Sequence, residues 1–225
     1  MRLYSIQPLA LVQTLFAQGQ LLADPGFDRS DKEELRMWQS PYDWMASQMR
    51  KRLSVRPPAG ARYPFWAWQQ WNGPAEPKPD LRHSSLKMWA SKQPQVLLML
   101  DVADEEVLLS DYDAWHFVLN YWYLDKPRPT QFFEKQLRAK GLDFYRQKPL
   151  PDATAHAQMQ RSWDAIFDLR KARTVLDLSR KRQIVQATFW ELRAASVRHA
   201  TLFGAGVPKA QHFGPHKLRE LLAAA

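Results

Sequence analysis

Apolar pairs at Leu11/Val12 and Leu15/Phe16 recur four residues apart, a spacing that predicts a helix. Ahead of them RLYSI predicts a short strand that ends at Gln7-Pro8, because proline is tolerated at the first position of a helix. Gly19 is placed to end that helix. The chain therefore opens strand–turn–helix, with Gln7 at the turn. Residues 24–31, DPGFDRSD, have the composition of a loop. Residues 40–53, SPYDWMASQMRKRL, predict a helix that starts at an Ser40 N-cap, with Pro41 behind it and Asp43 completing the cap.

YPFWAWQQW, residues 63–71, predicts a strand. Its two-residue period puts Trp66 and Trp68 on one face and Phe65, Ala67 and Trp71 on the other. QVLLMLDV, residues 95–102, is an unbroken apolar run suited to the centre of a sheet. VLL follows as a brief strand. Ser110 then caps a helix, DYDAWHFVLNYWYL, that aligns Tyr112, Trp115, Leu119 and Trp122 on one side. Residues 131–140 predict a helix ended by Gly141, and residues 153–169 are mostly helical. QIVQATFWEL and VRHATLF read as strands, and FGPHKLRELLAAA closes with a short helix. Strands at both ends with helices between them give an α+β class: one mixed domain over residues 1–225, with a central, mainly antiparallel sheet flanked by helices. A subdomain joint falls at DKPRP, residues 125–129.

Composition sharpens this picture in two places. Ten tryptophans in 225 residues imply a thick aromatic core, a stacking site, or both. The net charge of +9 lies wholly in the second half, where its densest stretch is RKARTVLDLSRKR, residues 170–182. Arg170, Lys171, Arg173, Arg180, Lys181 and Arg182 are thus candidates to contact a nucleic acid or another polyanion, against the plainer reading of a solvated basic face. With no cysteine, disulfides, thiolate zinc sites and a cysteine nucleophile are excluded. The broken apolar run at the N-terminus is not a signal peptide, and no stretch approaches a membrane span of about 18 apolar residues. A cytoplasmic protein with no membrane partner is the expectation.

No glycine-rich phosphate loop, Gly-x-Ser-x-Gly or His-Glu-x-x-His occurs, so neither a P-loop nor a metal site is expected. Asp111, Asp113 and His116 cluster, but helix capping beside an exposed ring accounts for them. Arg82, in KPDLR, has the fork to grip a phosphate or carboxylate, or simply to pair with Asp80. Glu191 stands in an apolar strand, QATFWEL, where it needs a partner, water at a rim, or a polar cleft.

YSIQ, YDWM (42–45), PFWAW (64–68), KPDLR (78–82), LLSDYDAWHFVLN (108–120) and SWDAIFDL with VQATFWEL (162–192) together resemble a bacterial family catalogued as a domain of unknown function. That resemblance covers nearly the whole chain and implies no activity. A more distant resemblance is to ADP-ribosyltransferase-like domains, some of which modify DNA. They too open with a short strand, a helix and a glycine followed by a hydrophobic pair, here YSIQP and GQLL. They end with a strand bearing an acidic residue and a further strand, here QATFWEL and VRHATLF. The likeness implies an NAD-dependent transferase acting on a nucleic acid or protein. Tyr4, Gln7, Trp66, Trp68 and Arg82 would hold the dinucleotide, and Glu191, or Gln186 in its stead, would hold the nicotinamide ribose. No Arg or His occupies the first-strand position where such enzymes carry one; Gln7 is the nearest polar group. Two non-catalytic alternatives remain: a nucleic-acid-binding protein using the basic half and exposed tryptophans, and a partner-binding protein whose rim tryptophans mark an interface.

Overall fold

A computed structural model describes residues 1–24, 26 and 33–223. Most of the loop expected over residues 24–31 therefore lies outside the described residues. Strand β1 (Arg2–Pro8) leads into helix α1 (Leu9–Gln18), which Gly19 ends with a left-handed φ of 83° and an N–H donated to the Leu15 carbonyl. After β2 (Gln20–Leu22) come α2 (Glu33–Arg52), β3 (Phe65–Gln70), α3 (Ser84–Ala90), β4 (Pro94–Asp101), β5 (Leu108–Asp111) and α4 (Tyr112–Leu119). Helices α5 (Pro127–Ala139), α6 (Ala153–Trp163) and α7 (Leu169–Val175) follow. β6 (Val185–Phe189), β7 (Glu191–Arg193), β8 (Val197–Gly204), β9 (Gln211–Phe213) and α8 (Pro215–Ala223) complete the chain.

The main sheet has seven strands in the order β5-β6-β3-β1-β4-β8-β9, every neighbouring pair antiparallel. β2 and β7 form a separate two-stranded ribbon. The fold is thus α+β with a mainly antiparallel sheet. One face buries Leu3, Phe65, Val96, Leu98, Leu100 and Phe189 against Val12 and Leu15 of α1 and Leu218 of α8. The other face carries two aromatic clusters. Tyr4, Ile6, Leu97 and Phe203 pack on α3, while Trp44, Trp115, Phe133, Met159 and Trp163 join α2, α4, α5 and α6.

β1 and β3 share a single register pair, Tyr4 with Trp68, whereas β1 pairs with β4 along its whole length. Beyond that pair the two central strands part, and the sheet forks.

Several elements differ from the sequence expectation. α2 does not start at Ser40; it runs through Pro41. Proline removes one helical hydrogen bond, but Trp44, Met45 and Met49 of the same helix are buried, and their packing holds the helix together. Asp111, not Ser110, caps α4: its Oδ1 accepts the Ala114 N–H at 2.9 Å, while Ser110 lies in β5 opposite Gln186. α4 stops at Leu119, and Tyr121 takes a left-handed φ of 58° with its hydroxyl accepting the Leu150 amide. The register of β3 shifts between Trp68 and Gln70, which breaks the two-residue period. Trp71 therefore packs with Trp68 and not with Phe65. QATFWEL is two strands. Trp190, 4% exposed in a pocket with Ala46 and Met49, turns the chain out of the sheet, so Leu192 returns to the Phe189 side and Glu191 joins the β2–β7 ribbon.

Candidate functional site

The fork between β1 and β3 opens into a cavity of about 410 Å³. Its lining comes from both sides of the sheet, as an opening between two central strands requires. Gln7 and Leu11 lie at the turn from β1 into α1, and Pro64–Trp68 form the opposite bank. Tyr42 of α2, Tyr112, Trp115, His116 and Leu119 of α4, and Gln186 of β6 close it. The volume falls within the range of about 300–1,000 Å³ typical of small-ligand sites.

The walls are flat rings. Trp66 packs on Trp115 with centroids 4.9 Å apart and on Tyr42 at 5.5 Å. Trp68 meets Trp71 edge-on at 5.1 Å. Neither Trp66 nor Trp68 is fully buried, and Trp66 Nε1 is a shielded donor with no partner. These rings are walls of a cavity as much as core filling.

A short relay fixes the polar end. The Ser5 hydroxyl donates to the Trp66 carbonyl at 2.8 Å, and Gln7 Nε2 lies 2.8 Å from Ser5 Oγ. A carbonyl can only accept, so the Ser5 hydrogen is committed and Gln7 must present its amide N–H to Ser5. Gln7 Oε1 is thereby left without a partner among the described residues. Across the cavity Gln186, 4% exposed, donates Nε2 to Ser110 Oγ at 3.1 Å, and its Oε1 likewise makes no hydrogen bond among the described residues. His116 Nδ1 lies 2.9 Å from the Tyr112 carbonyl and so carries the proton in the neutral ring, leaving Nε2 as an acceptor. Burial raises the Tyr42 hydroxyl, and burial with the Asp113 charge raises that of Tyr112, so both stay protonated at neutral pH. Asp113 itself is raised, first by burial and then by Asp111. The site offers stacking surfaces and unmatched acceptors, a combination suited to a planar ring bearing N–H donors.

Of the residues expected from sequence to form a site, Gln7, Trp66, Trp68 and Gln186 line this one cavity. Tyr4 does not. It is 8% exposed in the core, paired across the ladder with Trp68. Glu191 does not either. It lines a separate hollow of about 60 Å³ and is held by Arg193 at 3.0 Å, which also grips Glu106. A strand ending at Phe189 cannot carry residue 191 back to the fork.

Arg82 lines a neighbouring groove of about 700 Å³ with Trp71, Asn72, Lys78 and His83. Tyr112 borders both hollows, so they adjoin. Arg82 grips Asp80 with two hydrogen bonds, 2.9 and 3.1 Å. These bonds hold the Asp80 carboxyl down at about 2. A depressed carboxyl adds stability above its unfolded value and loses it as pH falls through the folded one. The Asp80 carboxylate should therefore titrate by NMR near 2 and move up toward the ordinary value in Arg82→Gln; an unshifted wild-type carboxyl would break the pair.

Arg170, Lys171, Arg180, Lys181 and Arg182 are exposed and meet no carboxylate among the described residues; Arg173 is half-buried against Gln183 Oε1 at 3.2 Å. No group of three metal-ligating side chains occurs among the described residues, and no helix there is long and apolar enough to cross a membrane.

Sequence reasoning gave Tyr42 no role and set His116 aside as an exposed ring beside a helix cap. The signal was available for the second: Tyr112 and His116 stand one helical turn apart on the side already aligned with Trp115 and Leu119.

The family model described as Domain of unknown function (DUF3841) matches residues 2–198. The chain belongs to the DUF3841 family. The match spans β1 to the start of β8 and so includes every residue that lines the fork cavity in this DUF3841 member. No curated protein matches the chain, and no solved structure does.

Proposed function

We propose that this protein binds NAD at the β1/β3 fork and acts as an ADP-ribosyltransferase-like transferase on a nucleic acid or protein in the cytoplasm. One observation carries the reading: Gln7, Trp66, Trp68 and Gln186, drawn from three strands, converge on one aromatic cavity. The nicotinamide would stack on Trp66, with its carboxamide N–H groups toward Gln7 Oε1. Gln186 would take the ribose side in place of Glu191, whose carboxylate is bound to Arg193 elsewhere. The adjoining groove with Lys78 and Arg82 would accommodate the phosphates.

Calorimetric titration with NAD tests this. The wild type should bind, and Trp66→Ala should weaken binding about 10-fold or more, since a ring stack is worth about 1–3 kcal/mol. Absent heat, or a Trp66→Ala protein of unchanged affinity, overturns the proposal. The exposed basic residues 170–182 favour a second reading, a nucleic-acid-binding protein without catalysis. Its mark would be oligonucleotide affinity that falls steeply with salt, about 0.7–0.9 in log–log slope per phosphate contacted, in a protein that ignores NAD.

A further inference from the structure

We propose that His116 is the proton acceptor of this site, taking the proton from the attacking group during transfer. The inference rests on the NAD reading above.

The geometry isolates this residue. Four titratable side chains line the cavity: Asp24, Tyr42, Tyr112 and His116. Both tyrosines are raised by burial and stay protonated, so neither takes up a proton near neutral pH. Asp24 is exposed, and its Oδ1 accepts the Gly26 amide at 2.9 Å. His116 is different in kind. Its Nδ1–H is held by the Tyr112 carbonyl one turn back, which fixes the tautomer and the ring plane together. The Tyr112 ring braces it edge-on, with centroids 4.7 Å apart. Nε2 has no hydrogen-bond partner among the described residues, and His116 is one of the residues that line the cavity. An oriented imidazole with a bare nitrogen in an aromatic cavity has the layout of a general base, with a backbone carbonyl serving as the orienting group.

The chemistry balances without another reagent. The bond from C1′ of the ribose to the nicotinamide ring nitrogen breaks, and its electron pair leaves with nicotinamide, which departs neutral. The acceptor's oxygen or nitrogen forms the new bond to C1′. The proton it loses passes to His116 Nε2. With water as acceptor the same step hydrolyses NAD.

The test uses two replacements in the full chain. His116→Asn keeps an N–H near the Nδ1 position for the Tyr112 carbonyl but removes the base; His116→Gln places an amide near Nε2. Melting temperatures establish that both fold. NAD affinity is measured by calorimetry, and consumption is followed with water and with an oligonucleotide as acceptors. Both variants should bind NAD within about 3-fold of wild type. Both should lose about 100-fold or more in kcat, the scale of general-base catalysis. Added imidazole should restore part of the rate to His116→Asn. Turnover retained in both variants overturns the role of His116 while leaving the NAD site standing. NAD binding by the wild type with no consumption of it has the same consequence. Wild type that does not bind NAD overturns both readings.

Discussion

Gln183→Leu should destabilise the protein by about 3 kcal/mol, because it leaves the buried Asp111 side chain and the Leu169 carbonyl each short of a partner. Gln183 is 3% exposed and ties together segments from across the chain. Its Nε2 donates to Asp111 Oδ2 at 2.7 Å and to the Leu169 carbonyl at 2.8 Å, and its Oε1 accepts from Arg173. Its own carbonyl accepts from Gln70 Nε2 and from the Gly73 amide. Leucine keeps the volume but leaves the fully buried Asp111 carboxylate with the Ala114 amide alone. At about 2–4 °C per kcal/mol for a chain of this size, the melting temperature should fall by roughly 10 °C. A loss below about 1 kcal/mol would show that Asp111 finds another partner or water. Because Asp111 caps α4, the loss should also loosen Tyr112 and His116, one turn along the same helix.

Gly73→Ala should cost about 3 kcal/mol, and the reason is a backbone collision. A Cβ there would meet the Lys181 carbonyl oxygen at 2.0 Å, in a residue whose φ is +72°. Left-handed strain alone is worth about 1–2 kcal/mol. Forcing the loop at residues 179–182 aside adds an overpacking penalty of about 1–3 kcal/mol. Gly141→Ala supplies the control: φ is +68°, but nothing lies within 4 Å, so only the strain applies. Thermal melts of the two variants should differ by several degrees. Equal losses would mean that the loop yields freely. The contact matters because it sets the basic segment against the loop that borders the groove of Trp71 and Arg82.

The class of the fold was legible in the chain because long apolar runs speak for themselves. QVLLMLDV is a central strand, and VRHATLF, which it pairs with, is another. Local rules failed where packing outweighed them. Pro41 sits inside a helix because Trp44, Met45 and Met49 on the same helix are buried, and Trp190 ends a strand because a large indole needs a pocket of its own. The site was half legible. Strand parity found Trp66 and Trp68, and the turn position found Gln7. Glu191, which the distant resemblance put at the ribose, lies away from the cavity because its strand of the sheet ends at Phe189 and it pairs with Arg193 in the ribbon. His116 was discounted as a surface ring, since a single sequence does not show that its helix closes over a gap in a sheet.

That gap has a mechanical consequence. β5, β6 and β3 form one ladder, and β1, β4, β8 and β9 form another; a single rung and the Ser5 hydroxyl fasten them. Both ladders rest on one core, in which Leu3, Leu98 and Leu100 pack with Phe65 and Phe189, so burial holds the seam where strand pairing is sparse. A guest that spanned the seam, touching Gln7 on one side and Trp66 on the other, would act as a rivet between them.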